Sequence, residues 1–268
     1  MSRRYFNLNN EIVANSLDSL DALDDQKPVI VGGLAIQLNA VERKKLLRNT
    51  PDVDILVPEN LEYKSFLTNI YPKVSSFLKD IDYRVQPKEG RGNNAVRVMH
   101  NQNREDEEVF FMHWTVFSPQ VYENMKDYVA RQLKYAKIIR YSPLRRPVKV
   151  ACLEEIIPLK VQRSITFSTG GNEAIVGPVY SSLVESAKNE DWGFLASMPL
   201  LQWQCVIERL QENLIDESQI NPHILGTYKL SKDIYDICLA AKVIADDPNG
   251  FDNHRYRENM RRIVDRKR

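Results

Sequence analysis

The chain has few cysteines, and those it has cannot act together. Cys152, Cys205 and Cys238 lie far apart with no C-x-x-C pair, which excludes a zinc knuckle and a disulfide framework and suits a reducing compartment. No apolar run reaches membrane-spanning length, and the start, MSRRYFNLNNEIV, lacks the apolar core of a secretion signal. A cytoplasmic protein without a membrane partner is the expectation. Charge of one sign is also missing. Lys and Arg number 37 against 36 Asp and Glu, a formal net charge of +1, so any surface for nucleic acid must be a local patch. No Ser/His/Asp triad, Rossmann glycine fingerprint or P-loop is recognisable. What remains is ordinary for a globular protein: 268 residues, 43% hydrophobic and 27% charged, enough for a substantial core in one to two domains.

One stretch stands out, VIVGGLAIQLNAVERKKLLRNTPDVDILVP from Val29 to Pro58. It opens with a short apolar run ending in Gly32-Gly33, continues as an amphipathic helix, and closes on Asp52-Val-Asp54 in a β-branched strand. Alternate side chains of a strand share a face, so Asp52 and Asp54 project together, their Cα atoms roughly 6–7 Å apart. Paired carboxylates suit hard divalent cations such as Mg²⁺ or Mn²⁺, which prefer oxygen ligands and accompany phosphates. A diglycine before a helix lets backbone N–H groups approach a phosphate at the positive helix end. Together these features point to phosphoryl or nucleotidyl transfer, although Gly-Gly or D-x-D alone is commonly just a turn or a surface.

Periodicity organises the rest. Residues 8–24 read as an amphipathic helix and Val29–Val31 as a buried strand. A helix starts near Leu34, with Arg43-Lys44-Lys45 extending it or its exit loop, and Val53–Val57 forms the second strand. Residues 61–78 are helical in pattern with a break at Pro72. Tyr83–Val85, Ala95–Met99 and Val109–Phe117 read as strands, two of them a hairpin, separated by Gly90-Arg91-Gly92 and the polar loop His100–Glu107. The result is a mixed sheet of about five strands flanked by helices, an α/β (α+β) core. Residues 120–137 look helical, and 137–141 and 148–151 could be two further short strands. From Leu153 the pattern is mostly helical: 179–188, 200–214, 231–245 and a polar, basic helix 255–267, with a loop at 168–178. In the second of these, Leu200, Val206, Leu210 and Leu214 form an apolar stripe that reads as core. The domains divide as 1–150, a sheet core, and 151–268, a helical C-terminal domain.

The diglycine followed by Arg48-x-Thr50-x-Asp52-x-Asp54-Ile55-Leu56-Val57 resembles the signature of DNA polymerase β-like nucleotidyltransferases, and within them the AbiEii-type, minimal-nucleotidyltransferase branch of toxin–antitoxin and abortive-infection systems. Leu153-Glu-Glu-Ile-Ile-Pro-Leu-Lys160-Val-Gln-Arg163 resembles that family's segment in which a helix lysine reaches the nucleotide. Lys232-Asp233-Ile-Tyr-Asp236 resembles its K-D-x-x-D motif. The resemblance implies Mg²⁺ or Mn²⁺ held by Asp52 and Asp54 and a nucleoside triphosphate bound by Gly32, Gly33, Arg48, Thr50 and Lys160. Asp233 and then Asp236 would complete the catalytic set. It also implies an acceptor that is an RNA (a tRNA 3′ end) or a protein hydroxyl, and a cognate antitoxin.

The sequence departs from the family on the strand VFFMHWTVF, which has no acid where many relatives carry a third carboxylate. His113 stands there and could be a metal ligand, a general base, a phosphate contact or a structural histidine among aromatics. Glu107 or Glu108 could supply the acid instead, though the run Glu105–Glu108 reads as a solvated turn. This departure motivates an alternative, a catalytically inactive relative that binds a nucleotide or a partner. An antibiotic-modifying nucleotidyltransferase would need an acidic lobe that is absent from the sequence. Pro158 predicts a kink or a helix start, and the basic C-terminus from Arg255 to Arg268 is a candidate RNA contact.

Overall fold

The computed structural model describes residues 6–58, 62–90, 93–101, 109–115, 119–167, 173–212 and 222–264. The chain divides into two compact units: Met1–Val41 with Leu47–Cys152, and Glu42–Leu46 with Leu153–Arg268.

The first unit begins with α1 (Glu11–Asp18), where the Asn10 side chain accepts from the Ile12 N–H at 3.0 Å and caps the helix. The helix ends earlier than the periodicity predicts, passing into a 3₁₀ segment over Ser19–Gln26. Then come β1 (Val29–Val31), α2 (Gly32–Asn39) and β2 (Asp52–Leu56). α2 starts on the diglycine itself, two residues before the predicted start. A second 3₁₀ segment, Val41–Leu46, holds Arg43-Lys44-Lys45. The helical pattern around Pro72 resolves into α3 (Tyr63–Asn69) and α4 (Tyr71–Asp80), with Pro72 in the first turn of α4, where its missing N–H costs nothing.

Next are β3 (Tyr83–Gly90), β4 (Asn93–His100), β5 (Phe110–Thr115), α5 (Pro119–Lys134), β6 (Lys137–Ile139) and β7 (Val148–Val150). β3 is longer than the predicted Tyr83–Val85 because it is an edge strand, where Pro87 need not donate to a neighbour. All the strands join one seven-stranded mixed sheet of order β3-β4-β5-β2-β1-β7-β6, not a sheet of five, because the two short late strands add beside β1. β1–β7 and β2–β5 are parallel pairs and the rest antiparallel.

The sheet's two faces differ. Val53, Ile55, Val96, Val98, Phe110, Met112 and Trp114 alternate onto one face and are buried. That face is covered by α1 and by α3, whose Phe66 ring lies 5.3 Å from Trp114. Residues of the opposite parity, Asp52, Asp54, Phe111, His113 and Thr115, remain half-exposed. The alternation of period two therefore places the acids and the histidine on the less covered face.

The second unit is helical: α6 (Leu153–Phe167), α7 (Glu173–Lys188), α8 (Trp192–Ser197), α9 (Leu200–Glu212), α10 (Pro222–Asp246) and α11 (Asn253–Ile263). α10 packs against α6, α7, α8 and α9, and α11 against α6. Residues 173–178, predicted as loop, are the first turns of α7. Within α9 Leu200 and Ile207 are buried, whereas Val206 is 50% exposed, so the stripe predicted as core is only partly so. α6 neither starts at Pro158 nor stops before it. The carbonyl that the proline nitrogen cannot reach is that of Glu154, and the buried Asn259 amide donates to it at 2.9 Å. No helix among the described residues is long and apolar enough to cross a membrane. Glu105–Glu108, the predicted strand end at residues 116–117, Ser168–Asn172, Leu214 and the terminal Arg266-Lys267-Arg268 lie outside the described residues.

Candidate active site

Gly32 carries the only left-handed glycine backbone among the described residues, φ +70°. Its missing side chain also makes room. A Cβ built on Gly32 would meet the Asp54 carboxylate, with Asp54 Cγ 3.2 Å and Cβ 3.3 Å away. β1 and β2 set this up, since Val31 pairs with Asp54 in their antiparallel register. The Asp54 carboxylate therefore packs on the glycine at the start of α2, beside the positive end of the helix. Gly33 continues the turn without a left-handed backbone.

Asp52 lies one pleat along β2, and Thr50 holds it from below. The Thr50 hydroxyl donates to the Asp52 carbonyl at 3.0 Å and lies 3.2 Å from Asp52 Oδ1. Thr50 is 3% exposed and Arg48 2% exposed, with Arg48 Nη1 donating to the Asn49 carbonyl at 3.2 Å. Both residues brace the approach to β2 from inside. Parallel pairing with β5 sets Asp52 opposite Phe111 and Asp54 opposite His113. His113 Nδ1 is 4.0 Å from Asp52 Oδ2 and 3.9 Å from Asp54 Oδ1, beyond hydrogen-bond range of either. Two acids and an imidazole thus share one patch.

Beside the patch is a cavity of about 220 Å³, whose lining includes Asp52, Lys88, Asn93, Ala95, Phe111 and His113. The sequence pattern gave no reason to pick Lys88 or Asn93. They reach the site only through the pairing of β3 with β4 and of β4 with β5, although the polar alternation Arg84-x-Gln86-x-Lys88 marks an exposed face. A smaller cavity of about 60 Å³ near Asp18, Asp21 and Arg146 contains none of these residues.

No protein-family model matches the chain, and no curated protein matches it. Two solved structures are similar in fold. One is an antigenic nucleotidyltransferase-like protein from Paracoccidioides brasiliensis, with 19% identity, a TM-score of 0.40, and coverage of 64% of this chain and 74% of that one. The other is a provisionally assigned nucleotidyltransferase from H. pylori, with 15% identity, a TM-score of 0.41, and coverage of 92% and 97%. Both neighbours are nucleotidyltransferase-like. Likenesses this distant decide nothing about chemistry, which rests on the side chains.

Among the described residues no three of His, Cys, Asp and Glu form a group that could hold a metal ion. The first unit offers a carboxylate pair instead. That fits Mg²⁺, which is commonly held by one or two carboxylates while water and substrate phosphates complete its octahedron.

The other predicted residues lie in the second unit. Lys160 of α6 is 5% exposed, and its Nζ donates to Asp233 Oδ1 at 2.9 Å and Asp236 Oδ2 at 2.7 Å, both aspartates of α10 being fully buried. Arg163, one turn along α6, forks onto both Asp233 oxygens with Nε and Nη2. Two cations and two anions meet here. Burial alone would raise the Asp233 carboxyl, but the Lys160 charge and the Arg163 hydrogen bonds and charge outweigh it and hold the group below the usual carboxylate range. Arg163 is the member whose partnership the sequence did not reveal; its i, i+3 spacing from Lys160 was the available signal.

Proposed function

We propose that the protein is a metal-dependent nucleotidyltransferase that moves a nucleoside monophosphate from a nucleoside triphosphate to an acceptor hydroxyl. The observation that carries this reading is the Asp54 carboxylate lying on the Cβ-free Gly32 at the start of α2, with Asp52 and His113 alongside. Asp52 and Asp54 would hold the Mg²⁺ or Mn²⁺. When bound, the ion supplies charge neutralisation for the triphosphate and for the oxygen that leaves.

The remaining work falls to the chain. The Gly32-Gly33 N–H groups and the helix end cradle phosphate oxygens. Thr50 fixes the Asp52 carboxylate, and Arg48 braces the same loop. The acceptor oxygen forms a bond to the α-phosphorus, the bond from that phosphorus to the bridging oxygen breaks, and pyrophosphate leaves with the electron pair. The hydroxyl proton passes to a neighbouring base, for which His113, in the lining of the cavity beside the acids, is the candidate. The motif order in the sequence supports Lys160, Asp233 and Asp236 as further members of the catalytic set. The finer reading, an AbiEii-type toxin with a cognate antitoxin acting on a tRNA 3′ end or a protein hydroxyl in the cytoplasm, is supported by the motif order in the sequence.

A second reading has its own observation. β5 carries no acid over Phe110–Thr115, as expected of an inactive relative that binds a nucleotide or partner. Incubation with labelled nucleoside triphosphates, Mg²⁺ or Mn²⁺, RNA and lysate separates the two. Label transferred by the wild type and not by Asp52→Ala/Asp54→Ala supports the enzyme. Nucleotide binding without transfer supports the relative.

A further inference from the structure

The sheet ends on one side in β6, in the most one-sided run of charge near any strand. From Tyr128 to Cys152 the sequence has seven Lys and Arg and no Asp or Glu, in a chain whose net charge is only +1. That stretch supplies the end of α5, β6 and β7. Lys137 opens β6 and Arg140 follows it. Both are exposed, and neither has an acidic partner among the described residues. Asp18 and Asp21 do not offset them. Asp18 accepts from the Arg145 N–H at 3.0 Å and the Arg146 N–H at 3.4 Å, and Asp21 pairs with the Arg146 side chain. Between the two cations stands Ile138, 69% exposed.

Register fixes which way the backbone of β6 points. β1 and β7 are parallel, with Ile30 opposite Val150, and the Ala151 N–H donates to the Ile30 carbonyl at 2.9 Å. In a parallel pair the residue opposite a bonding residue turns its own N–H and C=O the other way, so those of Val150 point to β6. Val150 stands opposite Lys137, and Val148 opposite Ile139. These are therefore the hydrogen-bonded pairs of the β6–β7 ladder, and the N–H and C=O of Ile138 point out of the sheet. No strand lies beyond β6 among the described residues.

Charge on an edge strand commonly keeps two copies of the edge apart. Lys137 and Arg140 do so against a second copy of this chain. Such guarding gives no reason for an exposed isoleucine between them, beside an open donor and acceptor. We infer that β6 is a docking strand for an acidic, extended segment of another protein, which joins the seven-stranded sheet as an eighth strand. Its backbone pairs with Ile138, an apolar side chain opposite packs on Ile138, and flanking carboxylates meet Lys137 and Arg140. A nucleic acid would meet the cations but has no use for a strand's outward N–H and C=O. β6 lies three strand spacings, about 14 Å, from β2. The surface is thus separate from the Asp52/Asp54 patch, and the inference does not depend on the proposed reaction.

The test titrates the full chain into a fluorescent heptapeptide, Thr-Glu-Glu-Val-Glu-Glu-Thr, and follows anisotropy. The expected result is binding that weakens as salt rises. The same peptide with N-methylvaline, which cannot donate to Ile138, binds at least about tenfold more weakly. Ile138→Pro removes the outward N–H and leaves the ladder alone, so it weakens binding by a similar factor at an unfolding midpoint near that of the wild type. Should that variant unfold, the N-methyl peptide reads the same bond on the wild-type chain. Lys137→Glu/Arg140→Glu abolishes binding, and Lys137→Arg/Arg140→Lys retains it.

No binding at low salt, or equal affinity for the two peptides, overturns the inference, since charge alone would then hold them. So does tighter binding of a short RNA of the same charge, undiminished by Ile138→Pro, which makes the strip a nucleic-acid contact. Self-association of the chain that Ile138→Pro abolishes, with no binding of the peptide, assigns the edge to a second copy and overturns it as well.

Discussion

At the scale of single residues, Gly32 is where the site is most exposed to substitution. Its backbone is left-handed, and the space its side chain would need is taken by Asp54. Gly32→Ala therefore combines a backbone penalty of roughly 1–2 kcal/mol with a displaced carboxylate. The expected outcome is a lower unfolding midpoint together with a loss of label transfer on the order of 100-fold, the cost of misplacing a reacting group by about 1 Å. Gly33→Ala, outside the left-handed region, should lose less on both measures; equal losses would deny Gly32 its particular role. The thiols give a second residue-scale prediction. Burial pushes Cys238 up to about 12, with Lys242 opposing weakly, and Cys152 is also buried, while Cys205 is exposed. A thiol reagent at mildly alkaline pH should modify Cys205 in the native chain and all three cysteines after unfolding. Native labelling that survives Cys205→Ser would show that a buried thiol opens.

At the scale of elements, α6 survives an internal proline because another helix supplies the missing donor. Asn259→Ala leaves the buried Glu154 carbonyl without its 2.9 Å partner and should cost about 1–3 kcal/mol in urea unfolding. Pro158→Ala restores an N–H aimed at the same carbonyl, so the Asn259→Ala loss should shrink in that background. Strict additivity of the two changes would mean that they do not share the acceptor. The same pair shows what the sequence could reveal. Pro158 was visible as an anomaly, but its remedy lies about a hundred residues downstream, beyond any periodicity. Likewise Asp52, Asp54 and Gly32 were readable because a strand's period of two and a glycine turn are local patterns. Lys88 and Asn93 were not, because only the register of three strands brings them to the same face. The length of β3 was hidden by Pro87, which looks like a breaker until the strand is known to be an edge. The two short late strands were readable at 137–141 and 148–151, but that they extend the sheet was not, because the pairing of β7 beside β1 is long-range.

At the scale of the whole molecule, the chain divides its candidate chemistry between two units, and each holds charge in its own way. The sheet unit leaves Asp52 and Asp54 about one-third and one-half exposed, where cation and substrate can reach them. The helical unit buries Lys160, Asp233 and Asp236 and balances them internally. A buried balanced network is worth little against an apolar replacement but is severe to break. Lys160→Met should therefore cost the helical unit about 3–5 kcal/mol, whereas changes at Asp54 should leave that unit's stability nearly untouched. The sign with pH follows from Asp233, whose folded value lies below its ordinary 3.8. Its stabilisation is complete above that value and is lost as pH falls through it toward the lower native value, at up to about 1.4 kcal/mol per pH unit for one carboxyl. Hydrogen exchange measured on the α6 and α10 segments should accordingly show protection that is flat from neutrality to about pH 4.5 and falls below about 4 once intrinsic rates are divided out. Protection that instead began to fall near neutrality would mean that a group other than Asp233 governs the unit.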